Sequence, residues 1–478
     1  MNIDDSTQQH VKPAAVAPLI ESRSIDYIPE AERHGSLFSQ FTLWFGANLQ
    51  ITAIVTGALA VVLGGDVFWS LIGLFVGQVL GGAVMALHAA QGPKLGLPQM
   101  ISSRVQFGVY GAVLPIILVC MMYVGFSAGG TVLAGQAIAQ LVNVSDWFGI
   151  LIFGVVIITI TVCGYRVIHG LGKLASVVGI VIFFYLFFKI LYGYDVQTLL
   201  ENRHFTLTNF LLAMSLSASW QIAFGPYVAD YSRYLPSNTS TVKAFFAVGL
   251  GSVVGTQASM VLGVFAAAIA GKQFAGHEVA YIVGLGSTGA IAGLLFLGIF
   301  FGKVTITALN AYGSFMSLAT IVSGFRGKHN VSPGMRLFFI ILMVGFSTLI
   351  GLLGQHEFLK LFTAFLLFLL AFFTPWSAIN LVDYYLVTKG RYDLPALSDP
   401  NGRYGRWNMT GILTYLFGIV VQLPFIATSF YTGSLVESLG GTDISWIVGL
   451  LATGVVYFVA TRFWPPSIAP ALILPEER

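Results

Sequence analysis

Apolar residues in this chain come in long blocks, not in the short alternating or one-sided patterns of a soluble fold. The blocks fall roughly at residues 37 to 64, 67 to 91, 110 to 141, 147 to 165, 174 to 194 and 207 to 229, then at 243 to 270, 285 to 323, 337 to 354, 358 to 387, 407 to 430 and 444 to 463. Each reaches the roughly 17 to 25 residues that carry a helix across a bilayer core. They predict an all-α polytopic membrane protein with about 12 transmembrane helices. The eighth block is long enough to predict a short re-entrant or loop segment ahead of its helix.

Polar and helix-breaking residues interrupt two of these blocks at mid-span. The first carries Gly46, Asn48, Gln50 and Thr52, and the sixth carries Ser215, Ser217, Ser219 and Gln221 ahead of Gly225-Pro226. The two lie five blocks apart. Interrupted segments at matching places in two halves point to an inverted-repeat transporter whose broken helices form the binding site. The plainer reading is that Gly and Pro are simply common in membrane helices.

Charge placement supplies orientation. Of the 23 Lys and Arg residues, Lys189, Arg203, Lys272 and Lys360 fall on one side of the membrane and Lys303 lies within a span, which leaves eighteen on the other side. Basic residues mark the cytoplasmic side, so both termini are expected there, which requires an even number of spans. The expected divisions are a cytoplasmic segment 1–36, a transporter domain 37–464 and a cytoplasmic tail 465–478. Within the transporter domain, 37–195 and 207–388 read as two repeats and 407–464 as two extra helices.

Composition agrees with lipid as solvent. The chain is 56% hydrophobic and 9% charged, against roughly 25% charged in soluble proteins. The basic residues are dispersed between apolar stretches, so nucleic acid is not an expected partner. Cys120 and Cys163 sit inside apolar runs and read as small buried hydrophobes, with no disulfide or metal role. The first 36 residues are polar and hold no apolar core of a cleavable signal, so the first helix is expected to direct its own insertion. No Gly-x-x-x-x-Gly-Lys-Ser/Thr loop and no His-Glu-x-x-His pair is present. An enzyme or an ATP-driven pump is therefore not expected, nor is any cofactor beyond a coupling ion.

Three stretches carry a resemblance. IDYIPEAERHGSLFSQFTLWFGAN from Ile25, QFGVYGAVLP after Arg104 and PYVADYSRYLP from Pro226 together resemble the nucleobase:cation symporter family, in its purine-cytosine permease branch. The resemblance implies a five-plus-five inverted repeat with broken helices 1 and 6, two further C-terminal helices, and transport by alternating access. It also implies a planar substrate held between aromatic side chains of the third and sixth helices, with polar side chains on the first, third, sixth and eighth completing its hydrogen bonds. Stacking is worth roughly 0.5 to 1.5 kcal/mol per aromatic beyond area burial, and ring nitrogens and carbonyls need partners once water is removed.

On the third helix the family's Gly-Trp pair corresponds to Gly125-Phe126, so Phe126 is the expected stacking face, with Tyr123 as fallback. The amide-bearing position four residues on is Gly130, a departure from the family. On the sixth helix Trp220 or Phe224 is expected to form the second face, with Gln221 able to donate to and accept from a base edge. Asn48 completes the first-helix contribution. The eighth helix reads KVTITALNAYG: the family's amide pair is Ile306-Thr307 here, while Asn310 and Tyr312 stand at matching positions. Thr307 and Asn310 are expected substrate contacts.

For the coupling ion, the resemblance implies a small oxygen cage, with Ala47 and Gln50 supplying carbonyls and Thr305 a hydroxyl, in the manner hard cations prefer. Lys303 stands beside it with no Asp or Glu at comparable depth. An intramembrane charge costs roughly 2.5 to 3.5 kcal/mol on insertion scales and marks function by default. Three readings follow: the ammonium replaces sodium, its reversible protonation couples transport to protons, or the side chain snorkels to an interface. Asp230 and Arg233 at the end of the sixth helix read as a structural salt bridge or a gate, and His88 as a packing residue.

The expected function is import of a purine- or cytosine-like base by symport with sodium or protons across the cell inner membrane, by a monomer whose partners are the heterocycle and the bilayer. The alternatives are a carrier of a related ring such as a hydantoin, allantoin or vitamin-like heterocycle, and a channel-like or non-transporting membrane protein.

Overall fold

The computed structural model describes residues 26–163, 165–326 and 333–475, and their side chains except at 162–176 and 326–333. Lys12, Arg23, Lys328 and Arg478 lie outside the described residues, as do the side chains of Cys163, Arg166, Lys173 and Arg326. The chain is helical, with α1 Leu37–Asn48, α2 Ile51–Val62, α3 Val67–Ala89, α4 Val113–Val142, α5 Asp146–Cys163, α6 Tyr165–Gly193, α7 Leu207–Ile222 and α8 Gly225–Ser232. There follow α9 Thr241–Ala270, α10 Glu278–Gly286, α11 Gly289–Arg326, α12 Pro333–Gly354, α13 Phe358–Val382, α14 Met409–Val420 and α15 Ser445–Phe463.

Among the described residues six helical stretches are long and apolar enough to cross a membrane, or eight when the two bent pairs each count as one span. One of the six, Gly334–Val387, contains both α12 and α13, and Asp146–Thr161, Val177–Gly193 and Met409–Phe425 are shorter apolar helices. The block at 407 to 430 is helical only to Val420, with a single 3-10 turn at Leu423–Phe425. Pro424 lacks the N–H that would continue the ladder. The eighth block divides at Ser287-Thr288 into α10 and α11.

The two bent pairs stand at the two polar-interrupted blocks. Between α1 and α2 the axis turns by 59°, and between α7 and α8 by 40°. The second break comes at Ala223-Phe224, just ahead of Gly225-Pro226. Proline fits the first turn of a helix, where its missing N–H costs nothing, so Pro226 opens α8 and does not end α7.

Small residues set how closely the spans approach. A Cβ added at Gly251 or Gly255 of α9 would lie 2.4 Å from the carbonyl oxygen of Phe41 or Phe45, and one at Gly263 would lie 1.8 Å from that of Ile54. From the other side, Gly57 on α2 would meet the Met260 carbonyl at 2.2 Å. A second stripe, Gly73, Gly77 and Gly81 on α3, faces the carbonyls of Phe210, Met214 and Ala218 on α7. With lipid as apolar as the side chains, such backbone contact is what holds membrane helices together.

Beyond α13, Asp383 is fully buried and collects hydrogen bonds from Gln106 Nε2 (2.9 Å), the Tyr392 hydroxyl (2.7 Å) and the Tyr457 hydroxyl (3.1 Å). These partners join the segment after α3, the loop after α13 and α15 at one carboxylate. Asp230 accepts from the Gln99 N–H at 2.8 Å, and Arg233 donates to the carbonyls of Asp230 and Asp26. His88 stacks on Trp376 with centroids 4.6 Å apart and bonds Ser377.

The α9 stripe yields a prediction. Gly263→Leu forces a side chain into the Ile54 backbone, and overpacking of this kind costs about 1 to 3 kcal/mol or more. In detergent the variant is expected to melt earlier or lose its monodisperse peak. Gly284→Ala, with nothing within 4 Å of the added carbon, is expected to stay within about 0.5 kcal/mol of wild type.

Candidate substrate and ion site

The interruption in α1 releases backbone groups that the bilayer cannot hydrate, and neighbouring side chains take them up. Ser259 Oγ on α9 donates to the Asn48 carbonyl at 2.8 Å, and Gln50 Nε2 donates to the Ala47 carbonyl at 2.9 Å. The Asn48 side chain is wholly buried and spans three elements. Its Nδ2 donates to the Trp44 carbonyl (2.7 Å) and to Ser252 Oγ (3.1 Å), while its Oδ1 accepts from Trp220 Nε1 at 2.7 Å. Asn48 thus fixes the Trp220 ring from behind.

Gln221 is spent on the same network. Its Nε2 donates to Gln78 Oε1 and to Thr256 Oγ1, and its Oε1 accepts from Ser252 Oγ at 2.7 Å. One residue past Trp220 is a turn of about 100° around the helix, which points Gln221 toward α3 and α9, away from the aromatic rings. Read from sequence as a base-edge contact, it is here a strut between helices.

The aromatic residues meet at a seam. One apolar cluster is built mainly on α2, α3, α9 and α10 and includes Trp44 and Trp220, another mainly on α4, α11, α12 and α13, and Phe126, Tyr227 and Phe365 pack against both. Phe126 meets Trp220 edge to face, with centroids 5.5 Å apart and planes at 80°, and meets Phe365 at 5.1 Å and 85°. Gly125 makes this possible, because a Cβ there would overlap the Phe365 ring. Phe224 stands edge-on to Trp220 at 6.0 Å and to Trp44 at 5.2 Å. Tyr123 lies farther along, tilted against Tyr227 at 5.5 Å. Rings in edge contact leave less than the roughly 7 Å, two contact distances of about 3.5 Å, that a flat ring needs between two faces.

On α11, Lys303, Thr307 and Asn310 share one face at spacings of four and three residues. Lys303 is 2% exposed, so it does not snorkel to an interface. Its Nζ donates to Thr52 Oγ1 at 2.7 Å and to Gln50 Oε1 at 3.1 Å, just past the α1 break. Gly130 supplies the room: a Cβ there would stand 2.7 Å from Lys303 Cε and 3.1 Å from its Nζ, and 3.4 Å from Thr307 Oγ1. The glycine on α4 and the lysine on α11 therefore fit together sterically. Thr307 Oγ1 is buried without a hydrogen-bond partner, and Asn310 is half-buried.

The expected oxygen cage does not assemble. Thr305 lies two residues from Lys303, about 200° around the helix, and its hydroxyl bonds the Phe301 carbonyl of its own helix. The Ala47 carbonyl is taken by the Gln50 amide, and the Gln50 carbonyl accepts from the N–H groups of Ala53 and Ile54. What stands at the break is the Lys303 ammonium. Trp44, Thr52 and Phe365 belong to the site and were not singled out as ligands. Trp44 precedes Asn48 by one helical turn, which is the signal that could have found it.

Comparison with known proteins decides the family. The profile of the family described as permease for cytosine/purines, uracil, thiamine, allantoin matches residues 27–449. This chain belongs to that permease family. It is 40% identical over 448 residues to YxlA of Bacillus subtilis (strain 168), provisionally named a purine-cytosine permease, covering 93% of this chain and 96% of that one. The purine-cytosine permease fcyB of Emericella nidulans is 25% identical over 96% of this chain and 92% of its own. Among solved structures, inward-facing Mhp1 superposes with a TM-score of 0.75 at 20% identity, over 94% of this chain and 96% of that one. Mhp1 of the nucleobase-cation-symport-1 family, closed with bromovinylhydantoin bound, gives 0.71 at 20% identity, over 93% and 96%. The permease is accordingly a multi-pass membrane transporter and not an enzyme, with the fold of Mhp1.

The Asn48 network generates a test of this permease. Trp220→Phe keeps the ring but strips Asn48 Oδ1 of its donor, and an unsatisfied buried acceptor costs roughly 1 to 3 kcal/mol. The expected outcome is a lower melting temperature in detergent, where Phe224→Leu, which breaks no hydrogen bond, lowers it less.

Proposed function

We propose that this permease imports a purine- or pyrimidine-like planar heterocycle across the cell inner membrane by alternating access, with both termini cytoplasmic and about twelve spans in a five-plus-five repeat plus two. The observation that carries the reading is the aromatic seam between α4 and α7, where Phe126 and Trp220 meet. Polar groups of α11, Thr307 and Asn310, lie to one side of it. The names of the relatives, purine-cytosine permeases foremost, support a base as the cargo.

Trp220 is held by Asn48, whereas Phe126 is half-buried and anchored only by ring contacts. Phe126 is therefore the ring that turns to admit the substrate, converting an edge contact into a stacked one. Phe224 closes the pocket toward Trp44. Coupling does not need sodium, because the Lys303 ammonium already fills the position beside the α1 break and holds two of its oxygens. Sodium driving is instead replaced by a fixed positive charge, and protons supply the gradient.

Two outcomes follow. In proteoliposomes, uptake of a labelled base is expected to accumulate against its gradient under an imposed proton gradient and to be unchanged when sodium is replaced by a large organic cation. Uptake that requires sodium would overturn the assignment of the ion while leaving the cargo intact. Phe126→Ala is expected to weaken base binding by about 1 kcal/mol, roughly fivefold, with Phe126→Trp retaining it. An unchanged Kd in Phe126→Ala removes Phe126 from the site.

A further inference from the structure

An ammonium carries three donors, and Lys303 uses two of them on uncharged oxygens, Gln50 Oε1 and Thr52 Oγ1. No ion pair forms at Lys303 among the described residues. The carboxylates near spans, Asp66, Asp146, Asp230, Glu278 and Asp383, all stand at helix ends or beyond. A buried charge is ordinarily paired, and among the described residues none pairs with this one.

The free side of the ammonium can be located. Gly130 lies 3.1 Å, measured from its absent Cβ position, from Nζ and 3.4 Å from the unpartnered Thr307 hydroxyl. A donor cation and an unsatisfied hydroxyl thus converge on one glycine. Phe126 stands one helical turn back on the same face of α4. A ring on Phe126 is therefore one helical turn of α4 from the level of the ammonium and the hydroxyl.

We infer that the substrate is an anionic heterocycle, a ring with an ionised N–H or an enolate oxygen, whose negative edge pairs with Lys303 and accepts from Thr307. This rests on the reading of the seam as a heterocycle site and names the charge of the cargo. A neutral base leaves the ammonium uncompensated in a water-poor site. An anionic one forms a charge-assisted hydrogen bond, which is roughly twice as strong as a neutral one and is strengthened by the low local dielectric. The pairing also accounts for the lost amides. Side-chain amides at Gly130 and at Ile306-Thr307 would recognise a neutral donor–acceptor edge, and they give way to one cation and one hydroxyl.

The test is a binding competition on the full-length purified protein near neutral pH, with urate as the ionised purine and hypoxanthine as the neutral one. Urate is expected to bind at least about tenfold more tightly. Lys303→Met is expected to abolish that preference. Thr307→Val is expected to weaken urate yet keep the preference, and with the wild-type ratio it decides the matter if Lys303→Met does not fold. Hypoxanthine binding as tightly as urate to the wild type overturns the inference and leaves the heterocycle carrier standing. Chloride stabilising the protein while neither purine does overturns both, since the ammonium is then paired by an inorganic ion.

Discussion

Inside a bilayer a helix can be interrupted only where the protein supplies the hydrogen bonds that water would have made. The rest of this structure hangs on how that requirement is met at one place, the two residues between α1 and α2. Ser259, Gln50 and the Asn48 amide nitrogen take up carbonyls at the break, and the Asn48 amide oxygen accepts from Trp220, which ties α1 to α7 and α9. Satisfying the backbone and positioning an aromatic wall meet in one side chain, Asn48. A side chain chosen to bind substrate and one chosen to repair the break are therefore not separable at Asn48.

The second half of the site is governed by space. Lys303 reaches from α11 to the break between α1 and α2 past position 130 of α4, where there is no side chain. A larger residue there crowds the end of the lysine stem. At that level of the bundle the space beside the glycine of α4 is filled by a cation reaching across from α11. Close packing couples the two positions.

Spans and breaks were legible because the bilayer imposes length and apolarity on every block, and because Gly46, Asn48, Gln50 and Pro226 are conspicuous inside such blocks. Boundaries slipped where a local rule outweighed hydropathy, as at Pro424, which ends a helix inside an apolar run. Lys303 stood out from sequence as a charge without a counter-charge. Its partners did not, since Gln50 and Thr52 are neutral and lie about 250 residues away along the chain, and nothing in their spacing announces the contact. Gln221 illustrates the reverse case. Its residue type suits a base edge, but one position of helical rotation from Trp220 gives it to Gln78 and Ser252. Thr305 likewise has the right hydroxyl on the wrong face.

The glycine stripe of α9 sets where the molecule can shear. Backbone lies directly on backbone at Gly251, Gly255 and Gly263, with no layer of side chains between to change rotamer and absorb a displacement. Any movement of α1 or α2 that preserves these contacts carries α9 along as one solid piece. The opposite boundary, toward α11, is bridged by the flexible four-carbon stem of a lysine and by partly buried rings. Slippage is cheap across that boundary and expensive across the other, so the plane of sliding passes between Trp220 and Phe126, where the cargo is proposed to bind.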